Sequence, residues 1–226
     1  MKWILTPDEF ALVWTRETQR DRHPYPLDTT PPVPENPAAT PRLAHRYLRR
    51  TDPDLAAALA LCARSDTTTV TLYGERTSPE SRRILAFAAV AQQRAGILVG
   101  LPDTVTVSVC PADQLGRELV EIIGSAPPGR LAPMQEAQSA VLQPDPAEGP
   151  DGADRFRSKL RDPVDGRGFI TVSVEPANPL SPPTRHRTWL DFSGDGRYLL
   201  TTAADLTLAP VSDEELADHL VRLARV

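Results

Sequence analysis

The side chains in this chain that could carry chemistry are four histidines, two cysteines and a short acidic run. His23, His45, His186 and His219 share no metal-ligand spacing. Each reads as a surface or hydrogen-bonded histidine rather than a catalytic one, with His219 on the polar side of a C-terminal helix. Cys62 and Cys110 sit in no CxxC pattern and are flanked by apolar residues, the setting of buried free thiols. Gly194-Asp195-Gly196-Arg197 beside Asp191 is superficially like a calcium loop, but it lacks the glutamate that closes such a ligand set, and a hairpin turn explains it. Asp213-Glu214-Glu215 complements a helix N-terminus. Acid–base catalysis needs two carboxylates in contrasting environments, and this run reads as uniformly solvated. No GxSxG, HExxH, P-loop or GxGxxG occurs. The expectation is a chain without catalytic residues, metal or cofactor.

The elements that would position any site are better signalled. Thr6-Pro7-Asp8-Glu9 is a capping box with proline at the first helical position, and Phe10, Val13 and Trp14 then fall on one face. Asp52-Pro53-Asp54 opens a second helix, with Leu55, Leu59 and Cys62 on one stripe. Ser212-Asp213-Glu214-Glu215 caps a last one, whose Leu216, Leu220 and Leu223 face inward. Further helices are expected at 133–142 and at 153–160.

Between the helices the chain says the same thing twice. Thr69–Tyr73 and Ile170–Val174 are both β-branched runs next to glycine. Ile97-Leu98-Val99 then aligns with Tyr198-Leu199-Leu200 at a shift of 101. The same shift, without a gap, carries Val105-Thr106-Val107 onto Leu206-Thr207-Leu208, and Leu115, Leu119 and Val120 onto Leu216, Leu220 and Val221. Residues near 82–92 look helical by propensity, but their counterpart, Arg187–Phe192, alternates and ends in a glycine turn, so the repeat assigns them to a strand. The expected fold is α+β: a quasi-twofold duplicated unit, each copy an antiparallel β-meander followed by an amphipathic helix, with additional helices. The copies divide near residue 125 (about 1–125 and 126–226) within a single domain.

A chain of 226 residues buries roughly 70% of its unfolded surface and needs no disulfide to hold it. Its net charge of -5 argues against a phosphate-tracking nucleic-acid binder. No apolar run is long enough for a bilayer span or, at the start, a signal peptide, so the expected compartment is the cytoplasm. Proline is abundant, 24 of 226, and clusters at 24–41, 144–150 and 176–183, which read as loops; Pro31 and Pro34 form a PxxP of the kind SH3 domains take. Met134, Val141, Phe156, Leu160 and Trp189 have no obvious place in the duplicated core. They either mark a partner-binding surface or fill the gaps between the units.

Several segments together resemble the EspG family of cytosolic chaperones associated with type VII (ESX) secretion in actinobacteria. At the start these are Phe10-Ala11-Leu12-Val13-Trp14, Arg22-His23-Pro24-Tyr25-Pro26-Leu27 and Asp52-Pro53-Asp54-Leu55 with Leu59 and Ala63-Arg64. At the other end they are Trp189-Leu190-Asp191-Phe192, Gly196-Arg197-Tyr198-Leu199, and Pro210 leading into the Leu216/Leu220 helix. The resemblance implies a quasi-twofold fold with an antiparallel sheet and two helical groups. It also implies a non-catalytic chaperone that binds the apolar helical tip of a PE–PPE-like secretion substrate, keeps it soluble and delivers it for export. The family's contacts lie on a sheet loop and the C-terminal helical bundle. Two rival readings stand beside it: an enzyme using the cleft between the units, and an interaction or immunity-type protein outside secretion.

Overall fold

The computed structural model describes residues 1–29, 51–143 and 152–225. His45, the Pro31/Pro34 pair and the proline cluster at 144–150 lie outside them. Strand β1 (Lys2–Leu5) and helices α1 (Pro7–Thr18) and α2 (Pro53–Ala63) come first. Four strands follow, β2 (Thr68–Arg76), β3 (Arg82–Ala91), β4 (Arg94–Gly100) and β5 (Val105–Pro111), then helix α3 (Leu115–Ile123). The same order then recurs: β6 (Met134–Ala137), helices α4 (Gln138–Leu142) and α5 (Gly152–Leu160), strands β7 (Val164–Ser173), β8 (Arg185–Phe192), β9 (Gly196–Thr202) and β10 (Asp205–Pro210), and helix α6 (Asp213–Ala224).

All ten strands form one antiparallel sheet in the order β1-β5-β4-β3-β2-β7-β8-β9-β10-β6. The two halves meet where β2 pairs with β7, from Thr69 opposite Ser173 to Arg76 opposite Gly166. Residues 82–91 are a strand, as the repeat requires, because their alanines and Ile84 alternate between two covered faces. The three strong helix starts hold: Thr6 and Glu9 exchange capping-box bonds, as do Ser212 and Glu215, and the Asp52 side chain accepts from the Asp54 N–H.

Two expectations need correction. Residues 134–137 are a strand rather than the start of a helix, because they pair with Leu208 to Asp205 at the sheet edge, and only 138–142 are helical. The ungapped shift of 101 also fails at β4 and β9. Ile97 packs on the α3 side of the sheet while Tyr198 packs on the other, so Ile97 matches Leu199 instead. The cause is in the turns. Leu101 to Thr104 separate the paired ends Gly100 and Val105, but only Ala203 to Asp205 separate Thr202 and Leu206. One residue fewer would put every side chain of the strand on the wrong face, so the register moves by one to compensate.

One face of the sheet is covered by α3 and α6. They cross so closely that a Cβ on Gly116 would lie 2.1 Å from the Ala217 carbonyl oxygen. Under them lies the largest core, with Leu72, Ile97, Leu119, Ile170, Trp189, Leu216 and Leu220. On the opposite face, α1 and α2 close a second core over β3 to β5 around Phe10, Trp14, Leu59, Phe87 and Leu98. Helices α4 and α5 close a third over β8 to β10 around Val141, Phe156, Phe192, Tyr198 and Leu208.

A buried arginine ties the halves together. Arg197, 0% exposed, donates Nε and Nη2 to both Asp191 carboxylate oxygens at 2.7 and 3.0 Å, Nη1 to Asp213 at 2.7 Å, and Nη2 to the Gly124 carbonyl at 2.6 Å. Asp213 also accepts from the Ser125 hydroxyl, so this member of the acidic run is anchored rather than freely solvated. Arg76 and Arg82 donate to the Ile122 and Ile123 carbonyls, so three cations meet the negative end of α3.

Trp14→Ala or Leu220→Ala is expected to cost ~3 kcal/mol or more, because each empties a buried core position. A denaturant melt matching wild type for either would refute the helix faces assigned here. Arg197→Met is expected to cost about 3 kcal/mol or more, since it strands the buried Asp191 with only Arg76 at 3.6 Å; an unchanged melting midpoint would contradict that.

Candidate docking cleft

Among the described residues, the helical groups cover the outer strands of their shared face and leave β2 and β7 open. Alternation along β2 turns Val70 and Leu72 toward the α3–α6 core and Tyr73 and Glu75 to the open side. Strand β7 does the same with Ile170 and Val172 against Arg167 and Phe169. The register then writes two rows across four strands. Leu85, Tyr73, Phe169 and Thr188 stand side by side in one, and Arg83, Glu75, Arg167 and Leu190 in the next. All of these but Leu85 line an open cleft of about 540 Å³.

Its chemistry is that of a contact surface. Phe169 is 59% exposed and Tyr73 is 42% exposed, directly opposite each other. Tyr25 packs against Tyr73 with ring centroids 5.9 Å apart. Partial burial, with Tyr73 and Asp28 adding to it, raises the Tyr25 phenol above its ordinary value, so it stays a hydrogen-bond donor. The charged row offers an exposed ion pair, Arg167 to Glu75 at 2.8 Å, and the exposed Arg83. No histidine or cysteine is among the lining residues, and Glu75 is their one carboxylate.

The floor is thin, and the reason is Trp189. Gly74 and Gly168 face each other across the β2–β7 pairing, and a Cβ on them would come within 2.7 and 2.1 Å of the Trp189 ring. The indole lies against both glycines from the α3–α6 side, fully buried. Of the other residues that the sequence singles out for excess apolarity, Val141 and Phe156 are buried in the core beneath α4 and α5, with Met134 and Leu160 half-buried against them. All five therefore pack inside the protein or against its core. Sequence reasoning missed Tyr73 and Phe169; the signal was an aromatic on the outward phase of each run.

The remaining chemistry-bearing residues are spread out. His23 is half-buried against Phe10 and Trp14, and burial lowers its pKa despite Asp28. Asp195 of the glycine turn accepts from Lys159 at 2.8 Å, from the Tyr198 hydroxyl and from the Arg130 N–H. Lys159 stacks over the Phe192 ring at 4.0 Å, locking α5 to that turn. Cys62 and Cys110 are buried thiols, pushed up to about 12 and about 11 by burial, and are poor nucleophiles at neutral pH. Among the described residues, no three His, Cys, Asp or Glu side chains group to hold a metal, and no helix is long and apolar enough to cross a membrane.

The fold has been seen before. The chain superposes with a TM-score of 0.66 on the Mycobacterium tuberculosis type VII secretion system chaperone EspG5, solved in complex with a PE25–PPE41 dimer. The match covers 100% of this chain and 96% of that one at 14% identity. No curated protein matches the sequence. The EspG family model does match it, over residues 6–222, and the chain therefore belongs to the EspG family.

Proposed function

We propose that this chain is a non-catalytic, cytosolic type VII secretion chaperone that holds the apolar helical tip of a PE–PPE-like substrate and keeps it soluble for export. One domain of two pseudo-repeats, 1–125 and 126–226, does this. The observation that carries the reading is the open cleft, where two facing aromatic rings stand exposed on a rigid sheet with charges along one side. Apolar residues at the tip of a partner helix would cover Tyr73 and Phe169, and Arg83, Glu75 and Arg167 would form a polar rim. Family membership and the fold shared with EspG5, solved with its PE25–PPE41 dimer, support the choice of partner. In this reading Met134, Val141, Phe156, Leu160 and Trp189 act as packing beneath the surface rather than as contacts. The lining residues favour this over an enzyme in the same cleft, because they place no acid–base pair there.

Co-expression with the PE–PPE pair encoded nearest to it in the native genome is expected to yield a stable ternary complex. Phe169→Asp is expected to weaken capture about thirtyfold or more, with an unchanged thermal melt, because the ring is an exposed anchor rather than a core residue. A well-folded wild type that captures no PE–PPE pair would defeat the chaperone reading. Undiminished capture by a folded Phe169→Asp chain would move the site away from the cleft.

A further inference from the structure

On the face of the sheet away from the cleft, arginines gather beside α6 with no ion-pair partner among the described residues. Alternation along β8 turns Arg185 and Arg187 to the same side as Trp189, toward α6. Arg185 reaches the Leu223 carbonyl with Nη1 at 3.4 Å. Half-buried Arg187 donates Nη1 to the His186 carbonyl at 2.7 Å and Nε to His219 Nε2 at 3.3 Å. Arg222 follows His219 by one turn of the helix. Because Arg187 donates to it, His219 Nε2 keeps its lone pair, and the neutral ring carries its proton on Nδ1.

The acidic groups nearby do not answer these charges. On α6 itself, Glu215 is held by Ser212, and neither it nor Asp218 forms an ion pair with the three arginines among the described residues. Glu118 and Glu121 on α3 line a cleft with Met1, Lys2 and Val99 instead, and neither they nor Asp113 in the short turn before that helix forms an ion pair with the three arginines among the described residues. Val70 and Leu72 of β2 and Ile170 and Val172 of β7 lie in the apolar core they share with α6. Two consequences follow from the crowding. Burial first, then Arg187 and Arg222, push His219 down to about 4. Burial and then Arg185 also lower Arg187.

We propose that Arg185, Arg187 and Arg222, with His219, form a binding site for an oxyanion of the phosphate class, free or as a monoester. Guanidinium forks match phosphate oxygens in pairs and give up hydration more readily than ammonium groups, so a half-buried pair on one strand face suits this ligand. The neutral His219 offers an Nδ1–H donor. Once the surrounding charge is neutralised, the ring takes up its second proton at a higher pH than it does alone. The site lies on the face opposite the Tyr73–Phe169 cleft and does not depend on what that cleft holds.

The test is an NMR titration of the His219 imidazole in the full chain, with inorganic phosphate and glycerol 3-phosphate as separate probes and sodium chloride at matched ionic strength as control. At least one probe is expected to shift the ring resonances saturably and to raise the His219 pKa by about a unit or more. Arg222→Gln, at an exposed position, and Arg187→Gln should each weaken that response severalfold, Arg222→Gln with an unchanged melt. Saturation by phosphate alone assigns the free ion, and saturation by glycerol 3-phosphate alone assigns a monoester. The acid limb of stability gives a second readout. The folded His219 pKa lies below the ordinary 6.5, so the unfolded chain binds the proton first and stability falls from about pH 6.5 toward 4. The effective probe should flatten that fall. Responses no larger than those in chloride, or saturation that survives Arg222→Gln unchanged, would overturn the site.

Discussion

Everything in this molecule hangs on the antiparallel pairing of β2 with β7. Each half is a five-stranded sheet whose inner edge, β2 or β7, would be raw on its own, and an unpaired edge leaves a row of donors and acceptors open to any strand that comes by. Joining the two raw edges over the eight pairs from Thr69–Ser173 to Arg76–Gly166 satisfies both at once and turns two marginal sheets into one of ten strands. The join also sets the distribution of cover. Helices α3 and α6 each end a half, and both fold back onto the same face, where they meet at Gly116 and Ala217 directly over the largest core. The paired helices of the other face are tied to the outer strands of their own halves. Among the described residues, neither pair reaches the middle.

The open cleft is thus a by-product of the way the halves are joined. Tyr73 and Phe169 are exposed because they occupy the outward phase of the two seam strands, which no described helix covers. An aromatic pair in that position would be a liability in a free monomer unless a partner used it. The seam is also kept rigid from behind, since Trp189 fills the space that side chains at Gly74 and Gly168 would otherwise take. A partly apolar surface of this kind would receive a preformed helix tip with little loss of its own conformational freedom.

Polar anchoring follows the same logic of joining. Arg197 sits on β9 yet bonds to Asp191 on β8, Asp213 at the start of α6 and the Gly124 carbonyl just past the end of α3. A single guanidinium therefore fixes the second half's sheet to the helices of both halves, and its five donors in a planar fork make arginine the residue able to do so. Such a network specifies which helix end meets which strand more than it adds net stability.

Much of this could be read from the residues alone, because the signals are local. Capping boxes at Thr6–Glu9 and Ser212–Glu215 depend on side chains three positions apart, and the repeat of strand, turn and helix survives as pattern. Even the strand at 82–91, whose propensity is helical, followed from comparing the halves. What composition and period could not decide was anything set by partners distant along the chain. Four residues at 134–137 become a strand only because β10 offers them an edge, and the one-residue difference between two turns is visible only once the faces of Ile97 and Tyr198 are known. Apolarity by itself does not say whether a side chain is core or surface, so Phe156 and Trp189 drew attention while Phe169 did not. Burial is a property of the whole arrangement, and here it was decided by which strands the helices left bare.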